Sequence, residues 1–228
     1  MPSFKKQYQT LFKTFGCPLI ENMGMPAKLL AAAEKRLRVR IPRALRDYCL
    51  VAGRERRFNT CHHRLLAPAD WMVDRQHLIF MEENQRVVLW GVSIRNPDTK
   101  DPPVSQGVVA EPIHWARECR RCSDFLRRML LYQAVSGGMP FSGIGDAPEK
   151  SDYRFDKHGW ISHGELGGAH MYSRQNQVVC LQPVQLPYMP TMKINVSAGA
   201  RTEADFVNIG KELSVTLQSL QPTKRNSR

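Results

Sequence analysis

Two short segments of this 228-residue chain carry side chains that could do chemistry. The first is Cys119-Arg120-Arg121-Cys122. A CxxC pair can supply two thiolates to zinc or close as a redox disulfide. Cys61-His62-His63 could supply the remaining ligands. The second is His163-Gly164-Glu165-Leu166-Gly167-Gly168-Ala169-His170, with His158 nearby. Two imidazoles and a carboxylate so close in sequence could hold a metal or exchange protons. Neither pattern is complete. Structural zinc takes four ligands, and the chain has no second CxxC. The histidine spacing fits no HExxH-type motif, and the three intervening glycines favour a turn between strands. No phosphate-binding GxxxxGK[ST] and no nucleophile elbow occurs. The sequence therefore predicts no catalytic residue, no cofactor and no metal. Cys119, Cys122, His163 and His170 are the residues a metal-dependent enzyme would have to use.

Periodicity indicates the elements that would position these residues. Trp115, Cys119, Cys122, Leu126 and Met129 fall at i, i+4, i+7, i+11 and i+14. That spacing predicts one helix from about Ile113 to Ala134, ended by Gly137-Gly138, with both thiols on its buried stripe. Tyr153–Phe155 and Gly159–Ile161 predict a hairpin around Lys157-His158. Ala169–Tyr172 and Val178–Leu181 predict another, turned at Arg174-Gln175-Asn176. Upstream, Phe4 to Phe15 reads as a first helix stopped by Gly16. Ala27 to about Val39 reads as a second, and Arg43 to Val51 as a third, after the break at Ile41-Pro42. His77–Met81 and Arg86–Val92 read as an antiparallel hairpin, followed by a possible strand at Val104–Val109. Residues 139–152 read as loop and 183–190 as extended. Thr202 caps a final helix whose apolar stripe runs Phe206, Ile209, Leu213, Leu217, Leu220. Residues 221–228 read as a frayed tail. Asn84-Gln85 and Asn176-Gln177 each precede a helix carrying Asp-Phe, Asp124-Phe125 and Asp205-Phe206. These read as two generic hairpin-then-helix units rather than a proven repeat.

Composition is that of an ordinary globular chain, with 42% hydrophobic and 24% charged residues. It excludes fibrous and wholly disordered classes. No run approaches the roughly 18 apolar residues of a membrane span. No apolar segment follows the basic N-terminus, so no secretory signal and a cytoplasmic location are expected. The net charge is +12, from 33 Lys and Arg against 21 Asp and Glu. Residues 1–50 hold ten basic and three acidic residues, more than half of the excess. The densest run spans Lys35, Arg36, Arg38, Arg40 and Arg43. It can be an acidic-partner patch or the solvated end of a helix, whose C-terminal dipole welcomes cations. No aromatic interleaves with it, as a nucleic-acid stacking platform requires.

An ordered set of residues resembles the SUKH superfamily (Smi/Knr type) over about residues 26–133. It begins Leu30-Ala-Ala-Ala-Glu34-Lys-Arg-Leu37, then Ile41-Pro42, Leu45, Tyr48 and Gly53. It continues with Glu83-Asn84-Gln85, Val88, Trp90-Gly91, Asp101-Pro102-Pro103-Val104, Trp115 and Asp124-Phe125-Leu126. The resemblance implies an α+β fold, a mixed or antiparallel sheet with flanking helices. It also implies protein binding: many bacterial members are similar to immunity proteins that neutralise a cognate toxin, and fungal members are regulatory scaffolds. It implies no catalytic site.

The chain is accordingly expected to have an SUKH-like domain with N-terminal helices over 1–138. A C-terminal α+β extension or small second domain is expected over 139–228. Its expected function is non-enzymatic protein binding, with toxin neutralisation as the specific form. Partner contacts are expected from Lys35, Arg36, Arg38, Arg40, Arg43, Glu82 and Glu83, and the partner surface is expected to be acidic. A basic nucleic-acid-associated protein and a metal-dependent enzyme built on His163–His170 are the alternatives.

Overall fold

The computed structural model describes residues 3–148, 154–184 and 193–220. The fold is α+β, and the chain divides into two compact units. The first takes residues 1–13 and 17–130, the second 14–16 and 131–228.

The first unit opens with helices. α1 (Phe4–Thr14) starts where Ser3 Oγ accepts the Lys6 N–H at 3.4 Å, and it buries Tyr8, Leu11 and Phe12. α2 (Ala27–Leu37) ends in the left-handed Arg38 at φ 55°. The Glu34 carboxylate then accepts the Ile41 N–H at 2.8 Å and pairs with Arg46, closing the turn into α3 (Arg43–Ala52). Tyr8 Oη donates to the Ala44 carbonyl at 3.1 Å, and the Tyr8 and Tyr48 rings meet edge to face at 5.2 Å. α4 (Arg56–Asn59) is one turn, capped by Glu55.

A six-stranded antiparallel sheet follows. Its strands are β1 (Arg64–Leu65), β2 (Met72–Asp74), β3 (His77–Glu82), β4 (Val88–Ser93), β5 (Val104–Val108) and β6 (His114–Cys119). The order is β1-β3-β4-β5-β6, and β2 also pairs with β3. Leu78, Val92 and Val104 are register partners and fully buried. Phe80 and Trp90 lie 5.8 and 6.0 Å from Phe125 of α5 (Cys122–Gln133), so this face of the sheet packs on the helix.

The helix predicted from Ile113 is therefore a strand and a shorter helix. Pairing of Trp115 with Gly107 and of Arg117 with Ser105 overrides the helical spacing of the local sequence. α5 starts only at Cys122, where the Asp101 carboxylate accepts the Ser123 N–H at 2.8 Å and its hydroxyl at 2.6 Å.

The second unit is also a six-stranded antiparallel sheet. It is built from β7 (Phe141–Pro148), β8 (Ile161–Leu166), β9 (Ala169–Arg174), β10 (Gln177–Val184), β11 (Lys193–Ala200) and β12 (Gln218–Ser219). The order is β12-β7-β11-β10-β9-β8. α6 (Glu203–Leu213) follows β11, capped by Thr202 Oγ1, which accepts the Asp205 N–H at 3.1 Å. Val179, Val196, Ala198 and Ala200 pack against Phe206, Ile209 and Leu213 of α6.

Three expectations change in this unit, and a strand without an expectation joins it. Most of the stretch expected as loop, 141–148, is strand β7. Gly143 and Gly145 lie inside this strand. A Cβ at Gly143 would lie 2.6 Å from Phe206 Cζ, and one at Gly145 would lie 2.6 Å from the Thr216 carbonyl. They mark close approach, not a loop. The hairpin expected around Lys157-His158 is a 3₁₀ turn, Phe155–His158. β11 carries no strand expectation because its small residues, Ser197, Ala198, Gly199 and Ala200, lack β propensity. The last helix stops at Leu213, where Ser214 turns left-handed at φ 53°. Leu217 and Leu220 only continue its spacing. The expectations for 149–153, 185–190 and 221–228 lie outside the described residues.

Candidate functional site

The thiols of the CxxC are buried, Cys119 at 6% and Cys122 at 0% exposure. Burial, then Asp101 and the neighbouring Cys49 and Cys119, push the Cys122 thiol well above its ordinary value. Burial pushes Cys49 up to about 12. Zinc binds thiolates, and this environment opposes their formation. The Cys119 sulfur instead accepts from Arg128 Nη1 at 3.4 Å. Cys61 is partly exposed, and His63 packs against Trp90 at 4.9 Å between ring centroids. All six cysteines stand as thiols.

His163 and His170 sit on the β8–β9 hairpin, turned at Gly167-Gly168 with φ of 58° and 80°. His163 is the extra residue of a bulge between Ser162 and Gly164, and its Nε2 meets Ser173 Oγ at 2.8 Å. His170 Nε2 stands 3.8 Å from Glu165 on the exposed surface. His158 belongs to the 3₁₀ turn, where its carbonyl accepts from Arg174 at 3.1 Å. Among the described residues no group of three His, Cys, Asp or Glu side chains could hold a metal ion.

The basic run is largely engaged within the protein. Arg36 donates to the carbonyls of Pro68 and Trp71 at 2.9 and 3.0 Å. Arg40 pairs with Asp98 at 3.1 Å and Arg43 with Asp47 at 3.5 Å. Lys35 and Arg38 are exposed. Glu82 pairs with Arg64 at 2.5 Å and Arg86 at 3.4 Å, and Glu83 accepts the Gln85 N–H at 2.8 Å.

Sequence reasoning missed the face of the first sheet opposite α5. Register places Leu89, Gly107 and Trp115 in one row of that face, with Val87 and Val109 in the row beyond. Val87 and Val109 are 53% and 51% exposed. Trp115 lies across Gly107 and Gly91. A Cβ on either would come within 2.9 Å of its ring, so only glycine lets the indole lie down there. Its far edge stacks on His77 at 4.2 Å and 17°, and its Nε1 donates to Asp74 at 2.7 Å. His77 Nε2 meets Ser105 Oγ at 3.1 Å. Burial holds His77 below the ordinary imidazole value against the pull of Asp74, with Arg95 and Arg75 adding to the depression. Arg75, Arg95 and Arg117 are exposed around this stack. The face thus runs from half-exposed valines, over a partly buried tryptophan, to three arginines. The available signal was strand alternation in 113–117, hidden by the helical spacing that the same residues satisfy.

Comparison with known proteins returns no similarity: no family model, no curated protein and no solved structure matches the chain. Among the described residues no helix is long and apolar enough to cross a membrane.

Proposed function

We propose that this chain is a non-catalytic protein-binding module of the SUKH kind, acting in the cytoplasm as an immunity protein that neutralises a cognate toxin. The observation that carries the reading is the solvent-facing side of the first sheet, where Val87, Val109 and Trp115 adjoin Arg75, Arg95 and Arg117. Apolar anchors centred on a tryptophan and rimmed by arginines form the usual anatomy of a protein interface. Such a surface works by covering a partner and needs no cofactor. The arginine rim suits a partner whose matching surface is acidic. The ordered residue set over 26–133 adds support, because its members do structural work suited to a rigid scaffold. Glu34 closes the α2–α3 turn, Asp101 caps α5, and Trp90 packs on Phe125.

Co-expression with each candidate toxin found in the neighbourhood of the gene tests the proposal. The expected result is rescue of growth and a stoichiometric complex on size-exclusion chromatography with light scattering. Rescue lost by Trp115→Ala, with the fold kept, would place the contact on this face. Toxicity undiminished by co-expression, with no complex, sinks the immunity reading. Stoichiometric metal lost on His163→Ala would point to the enzyme alternative instead.

A further inference from the structure

The two units share one topology. In each, four strands form an antiparallel meander, and a helix starts on the third residue after the last strand. In the first this is β3-β4-β5-β6, ending at Cys119, then α5 from Cys122. In the second it is β8-β9-β10-β11, ending at Ala200, then α6 from Glu203. Both helices carry Asp-Phe at their third and fourth positions, Asp124-Phe125 and Asp205-Phe206. β6 and β11 are therefore equivalent strands.

Their neighbours differ. β11 is flanked on its outer side by β7, paired antiparallel over eight register positions from Lys193–Pro148 to Ala200–Phe141. β6 is an edge strand whose neighbour among the described residues is β5. His114, Ala116 and Arg117 of β6 are exposed, and Ala116 points to the face opposite Trp115, so the strand overhangs on both sides. An uncovered edge presents unpaired N–H and C=O groups, which folded proteins usually cover or blunt. Here the blunting comes at one end only. Glu118 is the extra residue of a bulge, and 114–117 remain regular.

Arginines dominate the charge along this edge, where part-buried Glu118 at the bulge is the one carboxylate of residues 114–121. Arg117, Arg120 and Arg121 are exposed, and among the described residues none has an ion pair. Arg121 also holds the cap position of α5, where its carbonyl accepts the Phe125 N–H at 3.0 Å. A cation there opposes the helix dipole. Asp101 already satisfies the first turn, so the arginines do not serve the helix.

We propose that an extended acidic segment of a partner protein pairs antiparallel along β6, occupying the place that β7 fills on β11. Main-chain hydrogen bonds supply the affinity, and carboxylates facing Arg117, Arg120 and Arg121 set the register. A side chain of the added strand on the Trp115 side reaches the indole. This rests on the protein-binding reading and names its mode.

Hydrogen exchange of the full-length protein tests it, with three probes. One is a synthetic ten-residue peptide alternating valine and glutamate. The second is the same peptide N-methylated at every residue, which can donate no main-chain hydrogen bond to a ladder. The third is a single-stranded ten-nucleotide thymidine oligomer. The expected result is at least tenfold protection of residues 114–117 by the first peptide and none by the second. Arg117→Glu, Arg120→Glu and Arg121→Glu together should reduce that protection at least tenfold. Absence of protection with the first peptide overturns the proposal. So does equal protection by the methylated peptide, which would mean charge attraction alone, or stronger protection by the oligomer, which would mean a nucleic-acid edge. The toxin complex separates this proposal from the functional reading. A neutralising complex that leaves 114–117 unprotected sinks the strand site and keeps the immunity reading. Peptide protection without any toxin complex does the reverse.

Discussion

The two units run the same meander into the same kind of helix, yet they extend it at opposite ends. In the first, β1 and β2 pair with β3, the opening strand of the meander. In the second, β7 pairs with β11, its closing strand, and β12 pairs with β7. The consequence is a different free surface. The second sheet buries side chains on both faces. Val179 and Ala198 lie under α6, and Val178, Cys180 and Met171 are buried on the other side. There Met139 and the Ala134 carbonyl approach within 3.2 Å of where a Cβ on Gly199 would lie, so the turn at 134–139 sits directly on β11. The first sheet packs Leu78, Phe80, Trp90 and Val92 on its α5 side, and among the described residues its other face leaves Val87 and Val109 exposed beside Trp115. Topology is shared; what differs is how much of each sheet the described residues cover.

The equivalence of the helices can be broken at Phe125 and Phe206. Phe125 is fully buried and Phe206 is 9% exposed. Phe125→Ala should cost about 3–5 kcal/mol and Phe206→Ala about 3 kcal/mol. Urea denaturation of both variants checks this, and a negligible loss at either would break the structural equivalence. Next in size is Trp115→Ala, at about 2–3 kcal/mol, from lost stacking on His77 and a lost charge-assisted bond to Asp74. Asp74→Asn alone should cost only part of that, because an amide oxygen still accepts the indole N–H.

A smaller effect appears as acid sensitivity. Burial, then His62, holds His63 down at about 4, against 6.5 when unfolded. Between those values the unfolded chain binds a proton that the folded chain does not. Stability from this group is therefore complete above pH 6.5 and lost as pH falls toward 4. His63→Gln should flatten the fall in urea midpoint between pH 7 and pH 5, and His62 and His77, shifted in the same direction, should leave a residual slope. An unchanged slope would remove His63 as its cause. The smallest effect belongs to Arg117→Glu, Arg120→Glu and Arg121→Glu. Together they should change stability by less than about 0.5 kcal/mol, because exposed charges contribute little to folding. A large loss would show that these arginines hold the fold rather than face a partner.

How much was legible varies with the locality of the cause. The N-terminal helices were readable because Gly16, Pro26 and Ile41-Pro42 punctuate clear apolar stripes. The hairpins at 77–93 and 169–184 were readable from β-branched runs around polar turns. The Asp-Phe pairs were visible, though only the strand pairings give them equivalent positions. Residues 113–119 were misread because one sequence satisfied two periods, and Gly107 and Ser105, distant in sequence, chose between them. The basic run was visible, but Pro68, Trp71 and Asp98, which engage it, are remote in sequence.

By itself the sequence determined the mix of helices and strands, the helical start and the surplus of positive charge. These depend on local periodicity and composition, which any window of the chain displays. Tertiary structure decided which strand of each meander is covered, where Trp115 lies, and which arginines have no ion pair among the described residues. Those outcomes depend on pairings between segments far apart in the chain, and hydrogen bonds across strands outweigh the weak local preference of each segment alone.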